Sequence, residues 1–298
     1  MAPIPFRRDL DFEYAVLETV TPLIRRIVAR NPSPFTADGT GTYVVGHGRV
    51  AVIDPGPKLP EHIEALLRSL RGETVTHILV THTHADHSPA SAAIKRATGA
   101  PTYGFGPHAA GAGPAVEEGG DREFVPDRVM REGDAVEGPG WRLEAVHTPG
   151  HTSNHLCFAL PQERVLFSGD HVMGWSTSVI APPDGNMGDY MRSLAKLLAR
   201  EDAAYFPTHG PAISDPQAFV QAFIDHRRDR EAAILARLAE GDTEIPAIVR
   251  AVYVGLPKAL ERAAGRSVLA HLIELVAEGK VECEAEPTVE TRYRLADR

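Results

Sequence analysis

One short segment constrains this chain more than any other: the stretch THTHADH at Thr81–His87 carries three histidines and one aspartate. It directly follows the apolar run Val75–Val80, which has the composition of a buried β-strand. Imidazole and carboxylate groups are good zinc ligands, and a turn at the end of a strand can direct several of them at one point. The segment therefore predicts a metal site at a sheet edge, in a fold whose other strands bring further ligands there.

Three later turns carry candidate ligands of the same kind. These are His147 in the stretch VHTPGHT, Asp170 after the strand-like run Arg164–Ser168, and His209 in the stretch FPTHGP. Because each of them falls at or near the end of a predicted strand, a rigid sheet can present all of them at one edge. His151, His155 and His171 flank two of these turns, and we consider them as partners that could orient the ligands through hydrogen bonds.

The order of these residues resembles the metallo-β-lactamase superfamily, whose pattern is His-x-His-x-Asp-His followed by a His, an Asp and a His. The resemblance implies a binuclear zinc centre, with Mn²⁺ or Fe²⁺ as alternative metals. It assigns one ion to His82, His84 and His147, the second ion to Asp86, His87 and His209, and the bridging position to Asp170. A hydroxide held between the ions would be the nucleophile, and Asp86 would be the catalytic residue that orients it and takes up its proton.

Length and composition exclude several classes of protein. A chain of 298 residues with 43% apolar residues can bury one large core and a smaller one. Its net charge of −9 disfavours nonspecific attraction to nucleic acid or to anionic membranes. The two cysteines, Cys157 and Cys283, form no disulfide framework, and no apolar run has the length of a signal peptide or a membrane span. We therefore expect a cytoplasmic protein that has no membrane partner.

Alternating strand and helix patterns predict an α/β fold for residues 1–215, and the resemblance implies an αββα sandwich as the catalytic domain. The first strand is expected at Tyr14–Val20, and a surface loop near the site at Gly104–Asp121. Residues 216–298 differ, because they predict a long helix at Pro216–Ala239, further short helices and a two-stranded ribbon, which is a winged-helix pattern. The ribbon is acidic, which argues against duplex DNA as a partner and favours packing on the catalytic domain or a homodimer.

Within the superfamily the chain is similar to the β-lactamase-like protein 2 group, through the stretches NPSPFT, TPGHT and FPTHGP and the winged-helix tail. One member of that group is an endoribonuclease, so the resemblance implies cleavage of phosphodiesters in single-stranded RNA. Two features depart from the group: Gly41 replaces its usual Asn, and Ser88-Pro89-Ala90 replaces Ser-Gly-Gly.

Two other functions stay open. The alternative enzyme is a glyoxalase II-like thioesterase or a lactone or ester hydrolase for small molecules, with weak β-lactam hydrolysis as a side activity. The third possibility is a binding scaffold without catalysis, which the complete ligand set disfavours. The candidate substrate contacts are Trp175, His155 and Thr152.

Overall fold

The computed structural model describes residues 4–107 and 119–297. Its centre consists of two β-sheets that pack face to face, and helices cover the outer face of each sheet. The alternation of side chains along each strand explains these layers. In the strand Leu156–Leu160, for example, Leu156 and Phe158 face the other sheet, whereas Cys157 and Ala159 face the helices. The predicted αββα sandwich is therefore confirmed.

Within the described residues, the first sheet has seven strands that follow each other in chain order. They are β1 (Glu18–Thr19), β2 (Ile24–Val28), β3 (Gly41–Val45), β4 (Arg49–Ile53), β5 (Thr74–Leu79), β6 (Thr102–Gly104) and β7 (Arg128–Val129). The pairs from β1 to β4 are antiparallel, and those from β4 to β7 are parallel. Because β4 and β5 are parallel neighbours, the residues that follow them emerge at the same edge of the sheet.

In the part of the chain that the structure describes, the second sheet has five strands in the order β12-β11-β10-β9-β8. They are β8 (Ala135–Gly138), β9 (Trp141–His147), β10 (Leu156–Leu160), β11 (Val165–Gly169) and β12 (Ala204–Pro207). Strands β9, β11 and β12 run in the same direction, since β10 is antiparallel to both β9 and β11 and β12 is parallel to β11. The turns after these three strands therefore lie at one edge. The amide of Leu156 donates to the carbonyl of Thr81, in the turn after β5, at 2.7 Å.

Four helices of the described ranges form the outer layers. Helices α1 (Pro60–Ser69) and α2 (Ser91–Thr98) pack on the first sheet through residues that include Leu66 and Ile94. Helix α3 (Met187–Leu198) and the first half of α4 (Pro216–Ala239) pack on the second sheet. No helix in the described part of the chain combines the length and the apolar character that crossing a membrane requires.

The carboxyl-terminal part forms a separate small core. It contains α5 (Ile245–Val252), a 3₁₀ turn at Lys258–Leu260, α6 (Glu261–Ala277) and a ribbon of β13 (Val281–Cys283) and β14 (Tyr293–Leu295). The second half of α4 also packs into this core, through Ile234 and Leu238. The winged-helix pattern is confirmed, whereas the domain boundary between residues 215 and 216 stays a prediction, because α4 contributes side chains to both cores.

The structure bears on two predictions about local structure, a strand at Tyr14–Val20 and a loop at Gly104–Asp121. The predicted strand Tyr14–Val20 is wrong over most of its length: only Glu18–Thr19 is a strand, and Ala15 has a φ of +63°, which interrupts extended backbone. Residues 108–118 of the predicted loop lie outside the described residues. On the far side of that gap, Gly120 forms a β-bridge with His84, so this part of the chain returns to the predicted metal site.

Candidate metal centre and active site

The turn after β5 brings its histidines together with residues from the second sheet. His82 Nε2 lies 3.0 Å from His84 Nδ1, and His151 Nε2 lies 3.1 Å from the same His84 atom. His82 and His151 are buried, and His84 is partly exposed. The three rings could hold one metal ion, since each offers a nitrogen within 4.8 Å of the others.

A second group of three ligands lies beside the first. Asp86 Oδ2 is 3.1 Å from His209 Nε2 and 3.3 Å from His87 Nε2. Asp170 connects the groups, because its Oδ2 lies 3.5 Å from His87 Nε2 and 3.9 Å from His151 Nε2. The structure thus brings together six of the seven ligands predicted from the sequence, with Asp170 between the two groups, and their binding of metal stays a prediction.

His147 is not part of this cluster, which corrects the ligand set predicted from the sequence. It is the last residue of β9, where its ring stacks on Phe105 at 4.3 Å and its Nε2 contacts the carbonyl of Ser153 at 3.3 Å. The turn that follows carries the chain onward, and His151 reaches the site instead. Both histidines flank the same Pro-Gly turn, so the sequence pattern did not distinguish them, although it did mark His151 as a possible partner.

Backbone carbonyl groups fix how two of the histidines face the cluster. The carbonyl of Gly39 lies 3.1 Å from His209 Nδ1, and the carbonyl of Val179 lies 2.7 Å from His151 Nδ1. A carbonyl accepts only, so each Nδ1 carries a proton and each ring directs Nε2 at the site as the atom that can bind a metal. The fold thus supplies rings in the tautomer that binds a metal.

Asp54 is a supporting residue that the sequence analysis missed. It follows β4, and its side chain accepts hydrogen bonds from the Thr81 amide at 2.7 Å, the Thr81 hydroxyl at 2.8 Å and the Thr208 hydroxyl at 3.0 Å. Its Oδ2 also lies 2.9 Å from His87 Nδ1. The available signal was an aspartate at the end of an apolar strand, which is the same signal that identified Asp170.

Burial and charge set the protonation of the ligands. Burial lowers the pKa of His84 to about 3 and the pKa of His82 well below its usual value, so both rings are neutral at pH 7. Burial would also raise the pKa of Asp170, but the charge of His209 holds it well below its usual value. His82 and His84 therefore offer neutral nitrogens, and Asp170 offers an ionised carboxylate.

Two buried atoms of the cluster are in a state that fits a bound cation. His87 Nε2 and Asp170 Oδ1 have no hydrogen-bond partner among the described residues, although both face the interior. Burial would lower the pKa of His87, yet the charges of Asp86 and Asp170 raise it well above the usual value, which shows how strongly the carboxylates attract positive charge here. A cluster of several imidazole nitrogens and carboxylate oxygens this close together fits transition-metal ions such as zinc.

Comparison with known families agrees with this geometry. The family model described as the metallo-beta-lactamase superfamily matches residues 36–209, which contain every residue of the cluster. The chain belongs to the metallo-β-lactamase superfamily. A second model, the beta-lactamase associated winged helix domain, matches residues 245–288. The protein is therefore a hydrolase of this superfamily with histidine and aspartate clusters able to bind metal ions.

Members of the superfamily similar to this chain carry different names. The beta-lactamase-like protein 2 homolog of Caenorhabditis elegans is 33% identical over 89% of this chain and 88% of its own length. The atrochrysone carboxyl ACP thioesterase of Aspergillus terreus is 30% identical over 76% of this chain and 67% of its own length. A beta-lactamase domain protein from Burkholderia ambifaria has a similar fold, with a TM-score of 0.81, 21% identity, and coverage of 97% of this chain and 96% of that one.

Two of the predicted substrate contacts, His155 and Thr152, are buried. His155 is fully buried, its Nδ1 lies 2.8 Å from the Thr148 hydroxyl, and its Nε2 accepts from the Asp170 amide at 3.3 Å. Thr152 is also buried, and its hydroxyl donates to Asn154 Oδ1 at 3.0 Å. These positions correct the prediction: both residues support the ligand turns from within and leave no side chain exposed to a substrate.

Trp175, the third predicted contact, lines a cavity of about 270 Å³ between the catalytic core and the winged-helix part. Phe35, Met173 and Val179 line this cavity and also a smaller one that contains the metal-binding cluster. A substrate could therefore occupy the larger cavity while its reacting bond lies at the cluster. Since α4 and α6 form one wall, the carboxyl-terminal helices help to define the site.

Proposed function

We propose that this protein is a binuclear, zinc-dependent hydrolase that cleaves ester or thioester bonds of small molecules. One observation carries the proposal: two groups of three ligands lie side by side, and the small cavity that they line shares Phe35, Met173 and Val179 with a larger cavity whose walls are largely apolar. One ion is assigned to His82, His84 and His151, the second to Asp86, His87 and His209, with Asp170 between them. Mn²⁺ or Fe²⁺ would fit the same donors.

When bound, such ions supply Lewis acidity and a water that ionises near neutral pH. The chain's own residues would position this water and accept its proton. Asp86 accepts a hydrogen bond from the Thr40 hydroxyl at 3.1 Å and lies between His87 and His209, which fits its proposed role as the proton acceptor. In the overall reaction the water oxygen bonds to the carbonyl carbon, the carbon–sulfur or carbon–oxygen bond breaks, and a proton passes to the thiol or alcohol that leaves.

The cavity favours a small acyl substrate. Its walls include Phe35, Met173, Trp175, Tyr253 and Leu256, which can bind an acyl group by the burial of apolar surface. A volume of about 270 Å³ suits a small molecule. The similarity to a thioesterase over about three quarters of the chain supports the same reaction class.

Cleavage of single-stranded RNA is the second candidate, and one observation favours it. Arg227 and Arg230 line the same cavity as Trp175. Cationic and aromatic side chains together can hold a phosphate and stack on a base. Assays of the purified protein with an acyl thioester of N-acetylcysteamine, a lactone, a single-stranded RNA and a cephalosporin would separate the candidates.

The test of the metal centre uses two histidines of one turn. We expect His151→Ala to lose about half of the bound zinc, measured by elemental analysis, and nearly all hydrolytic activity. His147→Ala is the matched control and should keep both zinc ions and near-normal activity, because its ring stacks on Phe105 away from the cluster. A reversed result, with zinc lost from the His147 variant only, would overturn the assignment.

A further inference from the structure

The cavity beside the metal-binding cluster has an unusual distribution of charge. Helix α4 contributes His226, Arg227 and Arg230 to its lining, which lie within about one helical turn of each other. None of the described residues that line the cavity is an aspartate or a glutamate. The chain as a whole carries a net charge of −9, so this cationic wall is a local exception.

The two arginines lack carboxylate partners. Arg227 is only 3% exposed, donates to the carbonyl of Ser178, and lies over the Tyr190 ring with a separation of 5.1 Å. Arg230 donates to the carbonyl of Val252 at 2.8 Å, and its guanidinium stands 4.5 Å from the centre of the Tyr253 ring. In the described part of the chain neither arginine forms an ion pair with a carboxylate, and the Nε atom of each has no hydrogen-bond partner.

The positive charge of the two arginines also lowers the pKa values of two neighbouring histidines. Burial lowers the pKa of His226 to about 3, and the charges of Arg227 and Arg230 add to the shift. His271, which is buried behind the same wall, has its pKa lowered to about 3 by burial and by the charge of Arg227. Both histidines are therefore neutral at pH 7, and the arginines provide the positive charge of this wall.

Carboxylates were available on the same helix but face the other way. Asp225 and Asp229 of α4 are exposed, and Asp225 contacts the equally exposed Arg228 at 4.0 Å. A buried guanidinium without a counter-charge lowers stability, and two of them on one helix face also repel each other. The arrangement becomes favourable when an anion enters the cavity and accepts hydrogen bonds from the free donors.

We propose that this cavity binds an oxyanion group of the substrate, a carboxylate or a phosphate, at the end remote from the bond that is cleaved. The proposal rests on the proposed function, because it names the class of ester or thioester that the site prefers. Arg230 is the main contact, since it is partly exposed, and Arg227 reinforces its charge from the buried side. The apolar walls and Trp175 hold the acyl chain between this group and the cluster.

The kinetic test compares glutaryl and pentanoyl thioesters of N-acetylcysteamine, which have similar length and differ in the terminal carboxylate. The intact protein should show a higher kcat/KM for the glutaryl thioester by about tenfold or more, and Arg230→Gln should remove that preference through a raised KM. Arg228→Gln is the matched control, because this arginine lies on the exposed side of the same helix. Equal kcat/KM values for both thioesters, or an equal effect of both variants, would overturn the proposal.

A binding measurement separates this proposal from the proposed function. The chain has two tryptophans, and of these only Trp175 lines the cavity. Binding of glutarate or of inorganic phosphate in the cavity should therefore change the tryptophan fluorescence. Saturable binding of glutarate or phosphate, weakened in Arg230→Gln and retained in Arg228→Gln, supports the oxyanion site even if no thioester is hydrolysed. The anion that binds more tightly identifies the oxyanion group, carboxylate or phosphate, that the cavity prefers. Hydrolysis of thioesters without binding of either anion would retain the proposed function and refute this inference.

Discussion

Replacing Asp54 by asparagine tests how the metal-binding turn is held in place. The buried Asp54 side chain accepts from both the amide and the hydroxyl of Thr81 and from the hydroxyl of Thr208, and its Oδ2 faces His87 Nδ1 at 2.9 Å. Asparagine has the same shape but only one accepting oxygen. Whichever way the asparagine side chain is turned, its NH₂ group takes the place of one accepting oxygen. A group that donated to that oxygen then has no acceptor.

The expected magnitude follows from these contacts. A buried donor without a partner costs about 1–3 kcal/mol, so the free energy of unfolding of the metal-free Asp54→Asn variant should fall by about that amount. Changes to groups that orient metal-binding histidines typically weaken metal affinity by about 10–100-fold, and we expect a loss in that range because His87 loses its orienting carboxylate. Activity at limiting zinc should fall in parallel and recover in part when zinc is added in excess.

Zinc affinity can be measured by competition with a chromogenic chelator, and stability by urea unfolding of the metal-free protein. Asp127→Asn is a control for the loss of a carboxylate that accepts from a threonine, because the exposed Asp127 accepts from the amide and the hydroxyl of Thr102 but contacts no ligand. We expect this control to keep the affinity of the unmodified protein. If Asp54→Asn bound zinc as tightly as the unmodified protein, our account of Asp54 would be wrong.

Three further substitutions test the fold around the site. Trp141→Ala should lower the free energy of unfolding by about 3–5 kcal/mol in urea titrations, because the side chain is 2% exposed between the sheets and donates to a backbone carbonyl. Gly150→Ala should lower the thermal stability and the zinc content, since its φ is +139° and a Cβ would lie 2.3 Å from the Tyr190 Cα; unchanged zinc content would contradict this. Asn186→Ala should cost about 1 kcal/mol in the same urea titrations, because the Asn186 side chain caps α3 by accepting from the Asp189 amide at 2.8 Å.

Elements with strong local patterns could be predicted from the sequence. Helix α4 occupies Pro216–Ala239 as expected, because a capping aspartate and a proline mark its beginning and the chain offers no helix breaker before Gly241. The ligand turn at Thr81–His87 follows a buried strand as expected. The weakly patterned segment Tyr14–Val20 was predicted wrongly, since backbone geometry at Ala15 rather than residue type ends the extended stretch.

The ligand set marks the limit of sequence reasoning at the site. His147 and His151 flank the same turn, and residue type cannot tell which ring reaches the cluster. The answer depends on where β9 ends and on the path through Gly150, whose left-handed backbone packs against α3. Asp54, Arg227 and Arg230 escaped notice for a related reason, because their importance comes from the groups that surround them in the folded chain.

The sequence by itself determined the chemical groups available to this protein, which are histidines and aspartates at the ends of strands. Its helical and strand periodicities predicted an α/β fold followed by a winged-helix pattern, and the family resemblance implied the four-layer sandwich. Only the tertiary structure decided which of those side chains meet, which carbonyl groups fix their tautomers, and which cations face the cavity. The physical reason is that residue types and periodicities are local properties of the chain. The contacts that select His151, Asp54 and Arg230 join segments that are distant in sequence, and they exist only after the sheets and helices have packed.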